Sequence, residues 1–152
     1  MGAPRPSFTL GIEEEFQIVK STTSGTTPRL TKVLSPEQIL ALQELVRRVP
    51  VPDHVVRYAV ELVRQTRPKE PGAPEVVRKH VNWGAGPRAS QYLVVAAKAR
   101  AVLQGRYAAT VEDVRALALP VLRHRVLPNF AAESEGITST RIVQQLLELV
   151  KG

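Results

Sequence analysis

The chain of 152 residues contains no cysteine, which excludes disulfide bonds, thiolate metal sites and cysteine nucleophiles together. It also lacks any uninterrupted apolar run of about 18 residues, the length that crosses a membrane. Its N-terminus has neither the basic region nor the apolar region of a secretory signal peptide. These absences predict a cytoplasmic location and no membrane segment.

The sequence also lacks the motifs of common catalytic and metal-binding sites. There is no G-x-x-x-x-G-K-[ST] phosphate-binding loop, because Gly84 and Gly86 are followed by proline and arginine, and there is no G-x-S-x-G nucleophile motif. His54, His80 and His124 are far apart, and none lies in an H-x-x-x-H or H-E-x-x-H pattern, so no metal site is predicted. By itself, the chain is not expected to hydrolyse a nucleotide.

Aromatic residues are scarce, at 5% of the chain. Trp83, Tyr92 and Tyr107 are not interleaved with pairs of basic residues, and aromatic residues in such a setting usually belong to a core or its rim. Nucleic-acid binding therefore has support from charge alone and is not expected.

Positive charge is what the sequence has in excess, with 21 Lys and Arg against 14 Asp and Glu and a formal net charge of +7. The segment from residue 84 to residue 127, called the basic segment below, contains seven cations and only two anions. Its cations are Arg88, Lys98, Arg100, Arg106, Arg115, Arg123 and Arg125. This balance indicates an anionic partner.

Helix-start signals and apolar residues at helical spacing recur from residue 34 onward. Residues 35–38 form a capping-box pattern with proline at the first helical position, and Thr110 with Asp113 starts another helix. Pro120 is expected to kink or stop that second helix. Residues 128–136 read as a connection. Helices are expected to begin at Pro36, after Pro52, within residues 75–83, at Pro87, at Thr110 and at Thr138.

These signals predict an all-α fold, a small helical bundle of about five to six helices with a poorly structured N-terminal tail. Residues 1–33 are assigned to the tail and an approach segment, with a short helix at 13–22 and a loop at 24–32. Residues 34–152 are assigned to the helical domain. The one stretch that alternates like a strand is 8–12.

The most informative segment is the turn from Gly84 to Pro87, together with the Arg88 that follows it. Proline at the first helical position marks a helix start, so Arg88 lies in the first turn, where the helix macrodipole is positive. A cation there costs roughly 0.3–1 kcal/mol unless an anion compensates, and the free N–H groups of that turn also favour an anion. The turn therefore predicts a phosphate or a carboxylate beside Arg88, belonging either to a ligand or to a structural ion pair.

A second basic cluster, Arg123-His124-Arg125, follows the helix that contains Pro120. Its two arginines are able to contact phosphates or a neighbouring subunit. The favoured alternative is a solvated basic helix end, stabilised by the negative pole of the helix dipole.

Three segments, at residues 34–51, 83–90 and 121–126, together resemble the C-terminal helical lid of MoxR-type AAA+ ATPases. In that family the Gly-x-x-Pro-Arg turn is the sensor 2 element, whose arginine reaches the γ-phosphate of ATP held by the preceding core domain. The resemblance implies this catalytic role for Arg88. It also implies that Gly86, Pro87 and Arg88 take part in binding ATP.

The same resemblance implies a larger assembly. The phosphate-loop lysine, the Walker B acid, sensor 1 and the arginine finger belong to an ATPase core that this chain lacks, and that core would also hold Mg²⁺. The implied partners are an AAA+ core domain in cis or in trans, further subunits of a homo-oligomeric ring, and a client protein that is remodelled at the expense of ATP. The lid alone would be inactive as an enzyme.

Two other interpretations stay open. A free-standing basic helical module would bind an acidic protein or a nucleic acid through five arginines and not chiefly through Arg88. These five are Arg100, Arg106, Arg115, Arg123 and Arg125. Residues 7–16 are similar to the opening of glutamate–cysteine-ligase-like carboxylate–amine ligases, whose acidic residues belong to an ATP and magnesium site. No other ligase motif is visible, and a short acidic helix is the favoured interpretation of those residues.

Overall fold

The structure, a computed structural model, describes residues 7–25 and 31–151. The chain divides into two compact units, Met1–Pro36 and Glu37–Gly152. The beginning of the predicted N-terminal tail and most of the loop predicted at residues 24–32 lie outside the described residues.

The described part of the first unit consists mainly of helix α1 (Ser7–Thr23). This helix confirms the one predicted at residues 13–22, but it begins earlier, and the strand-like stretch 8–12 is therefore helical. Five alternating residues are a weak strand signal, and a single strand without a neighbour leaves its backbone polar groups unpaired. Continuing the helix pairs those groups within the segment.

The second unit is mainly helical, which confirms the predicted fold class, and it also contains a short antiparallel sheet. Val81 is paired with Pro128 and Trp83 with Leu127, and a bulge lies between the two pairs. The elements from Pro36 onward are α2 (Pro36–Arg48), α3 (Asp53–Arg64), α4 (Glu75–His80), β1 (Val81–Trp83), α5 (Pro87–Leu103), α6 (Val111–Leu122), β2 (Leu127–Pro128), α7 (Phe130–Ser134) and α8 (Ser139–Leu149).

Helix α5 lies at the centre of the core, where it packs against α3 on one side and α6 on the other. Its buried residues recur every fourth position and are small apart from one leucine: Ala89, Leu93, Ala97 and Ala101. A ridge of this spacing lets neighbouring helices approach closely. The helix is not enclosed on every side as the sequence suggested, because Tyr92 and Val95 are about half exposed.

The caps predicted at Thr110 and Thr138 are confirmed. Thr110 and Asp113 form a reciprocal capping box at the start of α6, and the Thr138 hydroxyl accepts a hydrogen bond from the Arg141 N–H at the start of α8. Gly105, which closes α5, has φ of +67°. Pro120 does not stop α6, which continues to Leu122.

Two local predictions are wrong. The helix expected within residues 75–83 ends at His80, and the last three residues form β1 instead. The connection expected at 128–136 contains the end of β2 and the short helix α7, which is capped by the Asn129 side chain. The cause is long-range, because β1 exists only by pairing with a segment far along the chain.

Helix α2 forms as predicted but buries none of its residues. Helix α2 does not form a packed hairpin with α3, and four of its large apolar side chains are exposed: Ile39, Leu40, Leu42 and Leu45. Among the described residues, no helix has the length and apolar character needed to cross a membrane.

Candidate functional site

The turn at residues 84–87, called the glycine turn, is attached to the end of α3. The Ala85 N–H donates to the Thr66 hydroxyl oxygen at 2.8 Å, and the Thr66 hydroxyl donates to the Val63 carbonyl at 2.6 Å. The carbonyl of the same residue is bonded as well, because Arg67 Nε donates to the Ala85 carbonyl oxygen at 3.0 Å. Thr66 and Ala85 are both buried. With both backbone groups of Ala85 bonded to α3 and its extension, the turn has a fixed position.

The two glycines of this turn serve different purposes. A Cβ on Gly84 would lie 2.4 Å from the Thr66 carbonyl oxygen, so only glycine allows the turn to approach the α3 backbone. A Cβ on Gly86 would meet nothing within 4 Å, and Gly86 has an extended φ of −82° as the N-cap of α5. Only Gly84 is therefore required by packing.

Arg88 follows Pro87, the first residue of α5, and is exposed. Among the described residues, it has no hydrogen bond and no ion pair. The structural ion pair considered as an alternative is thus not present in the described part of the chain. An unpaired arginine lies in the first turn of a 17-residue helix, where the dipole disfavours a cation and favours an anion.

A cleft of about 460 Å³ lies next to the glycine turn. We call it the Trp83 cleft; its lining residues are Arg67, Pro68, Lys69, Asn82, Trp83, Gly84, Ala85, Gly86 and Pro87. The structure therefore brings the predicted Gly86 and Pro87 together with cations and an aromatic residue that the sequence did not single out. Trp83 was expected in a core or at its rim, but 71% of its surface is exposed. The sequence feature that could have drawn attention to Trp83 is its position directly before the glycine turn.

Most of the basic segment is neutralised or used inside the fold. Asp113 is fully buried and accepts hydrogen bonds from Arg100 and Arg106. Burial alone would raise the pKa of Asp113, but hydrogen bonds from Arg106, from the Thr110 N–H and from Arg100 hold it well below its ordinary value. These two arginines are thereby occupied within the protein.

Arg115 is occupied as well. Its guanidinium donates to the Tyr58 hydroxyl at 2.8 Å, to the Leu147 carbonyl at 2.7 Å and to the Val150 carbonyl at 3.1 Å. It thus satisfies carbonyl groups at the C-terminal end of α8 and joins that end to α3. Three of the five arginines that a free-standing basic module would use are therefore committed to structure, which weakens that interpretation.

One member of the cluster 123–125, Arg125, contacts the side of α5 that carries Arg88. The Arg125 guanidinium carbon lies 5.0 Å from the centre of the Tyr92 ring, and Arg125 also donates to the Val121 carbonyl. Tyr92 lies four residues after Arg88 on α5, hence on the same side of the helix. Arg123 is exposed and has no ion pair among the described residues.

The histidines form no metal centre. His80 is buried and contacts the Glu135 carboxylate at 3.1 Å, and Lys79 reaches the same carboxylate at 2.9 Å. The Lys79 ammonium, and then His80, lower the pKa of Glu135. In the described part of the chain, no group of three or more potential ligands could hold a metal ion.

Comparison with known proteins gives the class of this structure. Residues 73–146, which include the glycine turn, Arg88 and the whole basic segment, match the family model described as AAA lid domain. The chain is 31% identical over 150 residues to Chaperone MoxR1 of Mycobacterium tuberculosis, covering 99% of this chain and 38% of that protein. It is 45% identical over 53 residues to Protein MoxR of Paracoccus denitrificans, covering 35% and 16% of the two chains.

A solved structure agrees with these sequence relatives. The crystal structure of a candidate ATPase from Cytophaga hutchinsonii superposes with a TM-score of 0.75 at 29% identity, covering 91% of this chain and 42% of that one. The chain therefore carries an AAA lid domain. More particularly, it is related to the lids of MoxR-type AAA+ ATPases, as its glycine turn suggested. It spans at most about two fifths of the length of these relatives.

Proposed function

We propose that this chain is the nucleotide-sensing lid of a MoxR-type AAA+ ATPase and that Arg88 is its sensor 2 arginine, contacting the γ-phosphate of ATP. The observation that carries the proposal is that the Arg88 side chain has no partner among the described residues. It is exposed and unpaired among the described residues, although it lies in the first turn of α5 on a turn fixed to α3. An anion from outside the chain would complete this arrangement.

The chemistry of phosphoryl transfer explains why one placed arginine matters. Charge develops on the equatorial oxygens of the transferred phosphoryl group, and catalysis comes from positioning and from neutralising that charge. Arg88 would supply a planar guanidinium with several donors, and the first N–H groups of α5 would add the positive end of the helix dipole. Gly86 and Pro87 set the start of α5 and thus the direction from which Arg88 approaches.

The proposed function requires a second domain. An AAA+ core, joined in cis or in trans, would hold ATP and Mg²⁺ and provide the remaining catalytic residues, and the assembled subunits would form a ring. The exposed apolar side of α2 is consistent with such a neighbour, since a large unpaired apolar surface is costly in water. Remodelling of a client protein and a cytoplasmic location complete the proposal.

The test is a protein that joins this chain to a MoxR-type ATPase core. Arg88→Ala should lower the rate of ATP hydrolysis at least about 100-fold, the scale of losing one group that stabilises a transition state. Arg88→Lys should recover part of the rate, because lysine restores the positive charge but not the planar guanidinium group.

Arg57→Ala is the matched control. Arg57 lies on α3, is exposed and has no ion pair among the described residues, so its loss removes the same charge and should leave the rate within about twofold. Unchanged hydrolysis in Arg88→Ala would contradict the assignment. Equal losses in both variants would mean that the effect comes from overall charge and not from the position of Arg88.

A further inference from the structure

Thr66 holds the glycine turn from inside the core, although no motif of the sequence includes it. We propose that Thr66 is a positioning residue for ATP hydrolysis: its hydroxyl sets the place from which Arg88 reaches the γ-phosphate. This inference rests on the proposed function, because it takes Arg88 to be the residue that contacts ATP.

The Thr66 side chain is too deeply buried to contact a ligand itself. Only 1% of the surface of this residue is exposed. Its hydroxyl donates to the Val63 carbonyl at 2.6 Å and accepts from the Ala85 N–H at 2.8 Å. A hydroxyl has a single proton to donate, so the bond to Val63 leaves a lone pair for Ala85. Any effect of Thr66 on a bound nucleotide therefore passes through the glycine turn.

The backbone between Ala85 and Arg88 is short and restrained. Ala85 precedes Arg88 by three residues, and the ring of Pro87 fixes one backbone angle between them. The Ala89 N–H donates to the Gly86 carbonyl at 3.0 Å. Ala85 and Ala89, one on each side of Arg88, are both buried. A movement of Ala85 would therefore move the backbone of Arg88 with it.

Loss of the Thr66 hydroxyl would displace the turn. The Ala85 N–H would be buried without an acceptor, which is costly enough that the turn would shift until the group found another partner. The turn has no room to move toward α3, because Gly84 already lies against the Thr66 carbonyl. Displacing a catalytic group by about 1 Å costs up to about 100-fold in rate.

The first test compares two substitutions of Thr66 in the protein that joins this chain to a MoxR-type ATPase core. Thr66→Val, which keeps the shape but removes the hydroxyl, should lower kcat about tenfold. The KM for ATP should stay within about threefold, because the core still holds the nucleotide. Thr66→Ser should keep kcat within about twofold, because serine retains the hydroxyl that accepts from Ala85.

Stability must be separated from positioning. Both variants should lower the midpoint of urea denaturation, Thr66→Val through the lost hydrogen bond and Thr66→Ser through the lost buried methyl group. Only Thr66→Val should lower kcat. Thr138→Val is the matched control, because it removes a hydroxyl that caps α8. It should also lower the midpoint and leave kcat within about twofold.

A double substitution tests whether Thr66 acts through Arg88. In a protein that already carries Arg88→Ala, adding Thr66→Val should change kcat by less than about twofold, because the group that Thr66 positions is absent. If the two losses multiply instead, Thr66 affects the rate by another route and the inference is wrong.

The hydrogen bond itself can be followed without ATP. In the full chain, the Ala85 amide proton should exchange with solvent at least about tenfold faster in Thr66→Val than in the unchanged protein, as measured by NMR. Thr66→Ser should keep the slow exchange. Equal exchange rates in all three proteins would show that the hydroxyl does not hold the turn, and the positioning role would be rejected.

The results distinguish this inference from the proposed function. If Arg88→Ala lowers hydrolysis but Thr66→Val does not, the positioning role is overturned and the role of Arg88 stands. If Thr138→Val lowers kcat as much as Thr66→Val, loss of stability explains both and the positioning role is again overturned. If Arg88→Ala leaves hydrolysis unchanged, the proposed function fails, and the inference that rests on it fails as well.

Discussion

Gly84 and Gly86 lie two residues apart in one turn but have different surroundings. Gly84 approaches the backbone of Thr66, whereas the space beside Gly86 is open. Neither has a positive φ, so the difference between them comes from packing and not from conformation.

Substitution at the two positions should have opposite consequences. Gly84→Ala should lower the free energy of unfolding by at least about 2 kcal/mol, because the new Cβ would meet a backbone oxygen that no rotamer change can move. Gly86→Ser should be neutral or slightly stabilising, since serine is a preferred N-cap residue. Urea denaturation of both variants checks this, and equal stabilities would show that the turn is not held as described.

At this scale the sequence identifies the turn but not the task of each residue. Proline after glycine marks the start of α5 wherever the chain folds, so the place of Arg88 in the first turn was predictable. The close approach of Gly84 to Thr66 depends on residues brought together by folding, and so does the exposure of Trp83. The hydrogen bonds of Arg100, Arg106 and Arg115 to buried groups also form only on folding, and the sequence did not predict them.

At the scale of elements, Asp113 is the main polar connection between the end of α5 and the start of α6. Its carboxylate caps α6 and accepts hydrogen bonds from Arg100 on α5 and from Arg106 on the loop between the helices. One buried charge thus fixes the angle at which these two helices meet.

Asp113→Asn should lower the free energy of unfolding at pH 7 by about 3 kcal/mol, because it leaves two arginines without a counter-charge. The pKa of Asp113 is lower in the folded chain than in an unfolded one, where it is about 3.9. Its contribution is therefore complete above that value and is lost as the pH falls through and below it. Unfolding measured from pH 7 to pH 2 should show the variant and the unchanged chain converging in acid.

Glu112→Gln is the control for this substitution. Glu112 is the neighbouring carboxylate in the first turn of α6, but it is exposed, so its loss should lower the free energy of unfolding far less than the loss of Asp113 does. Equal losses for the two variants would mean that the dipole of α6 matters and the buried cluster does not.

Elements that are determined by neighbouring residues in the sequence were predicted, and elements that depend on distant residues were not. The helices that begin with a cap or a proline were predicted, since capping box and N-terminal proline act within four residues. The strands were not, because three residues at 81–83 and two at 127–128 become strands only by pairing with each other. Short strands of this kind have no periodicity to detect.

At the scale of the whole molecule, the buried core of the described residues begins after α2. Leu62 on α3 is fully buried, whereas Leu42 on α2 is 46% exposed, although both occupy apolar positions at helical spacing. Periodicity reveals that a helix has an apolar side, but it does not reveal whether that side is covered by the same chain.

A matched pair of substitutions tests the extent of the core. Leu62→Ala should lower the free energy of unfolding by about 3 kcal/mol, the scale of a cavity in a packed interior. Leu42→Ala should change it by no more than about 0.5 kcal/mol in the isolated chain. Chemical denaturation compares the two, and a large loss for Leu42→Ala would mean that α2 is covered in solution.

The attachment of the glycine turn to Thr66 and Arg67 also has a mechanical consequence. The backbone of Ala85 is bonded to the end of α3, so a pull on the Arg88 side chain would be transmitted to α3 as well as along α5. α3 is joined through residues 49–52 to α2. The load applied at one guanidinium would thus be passed through α3 and residues 49–52 to α2, whose apolar side chains are exposed.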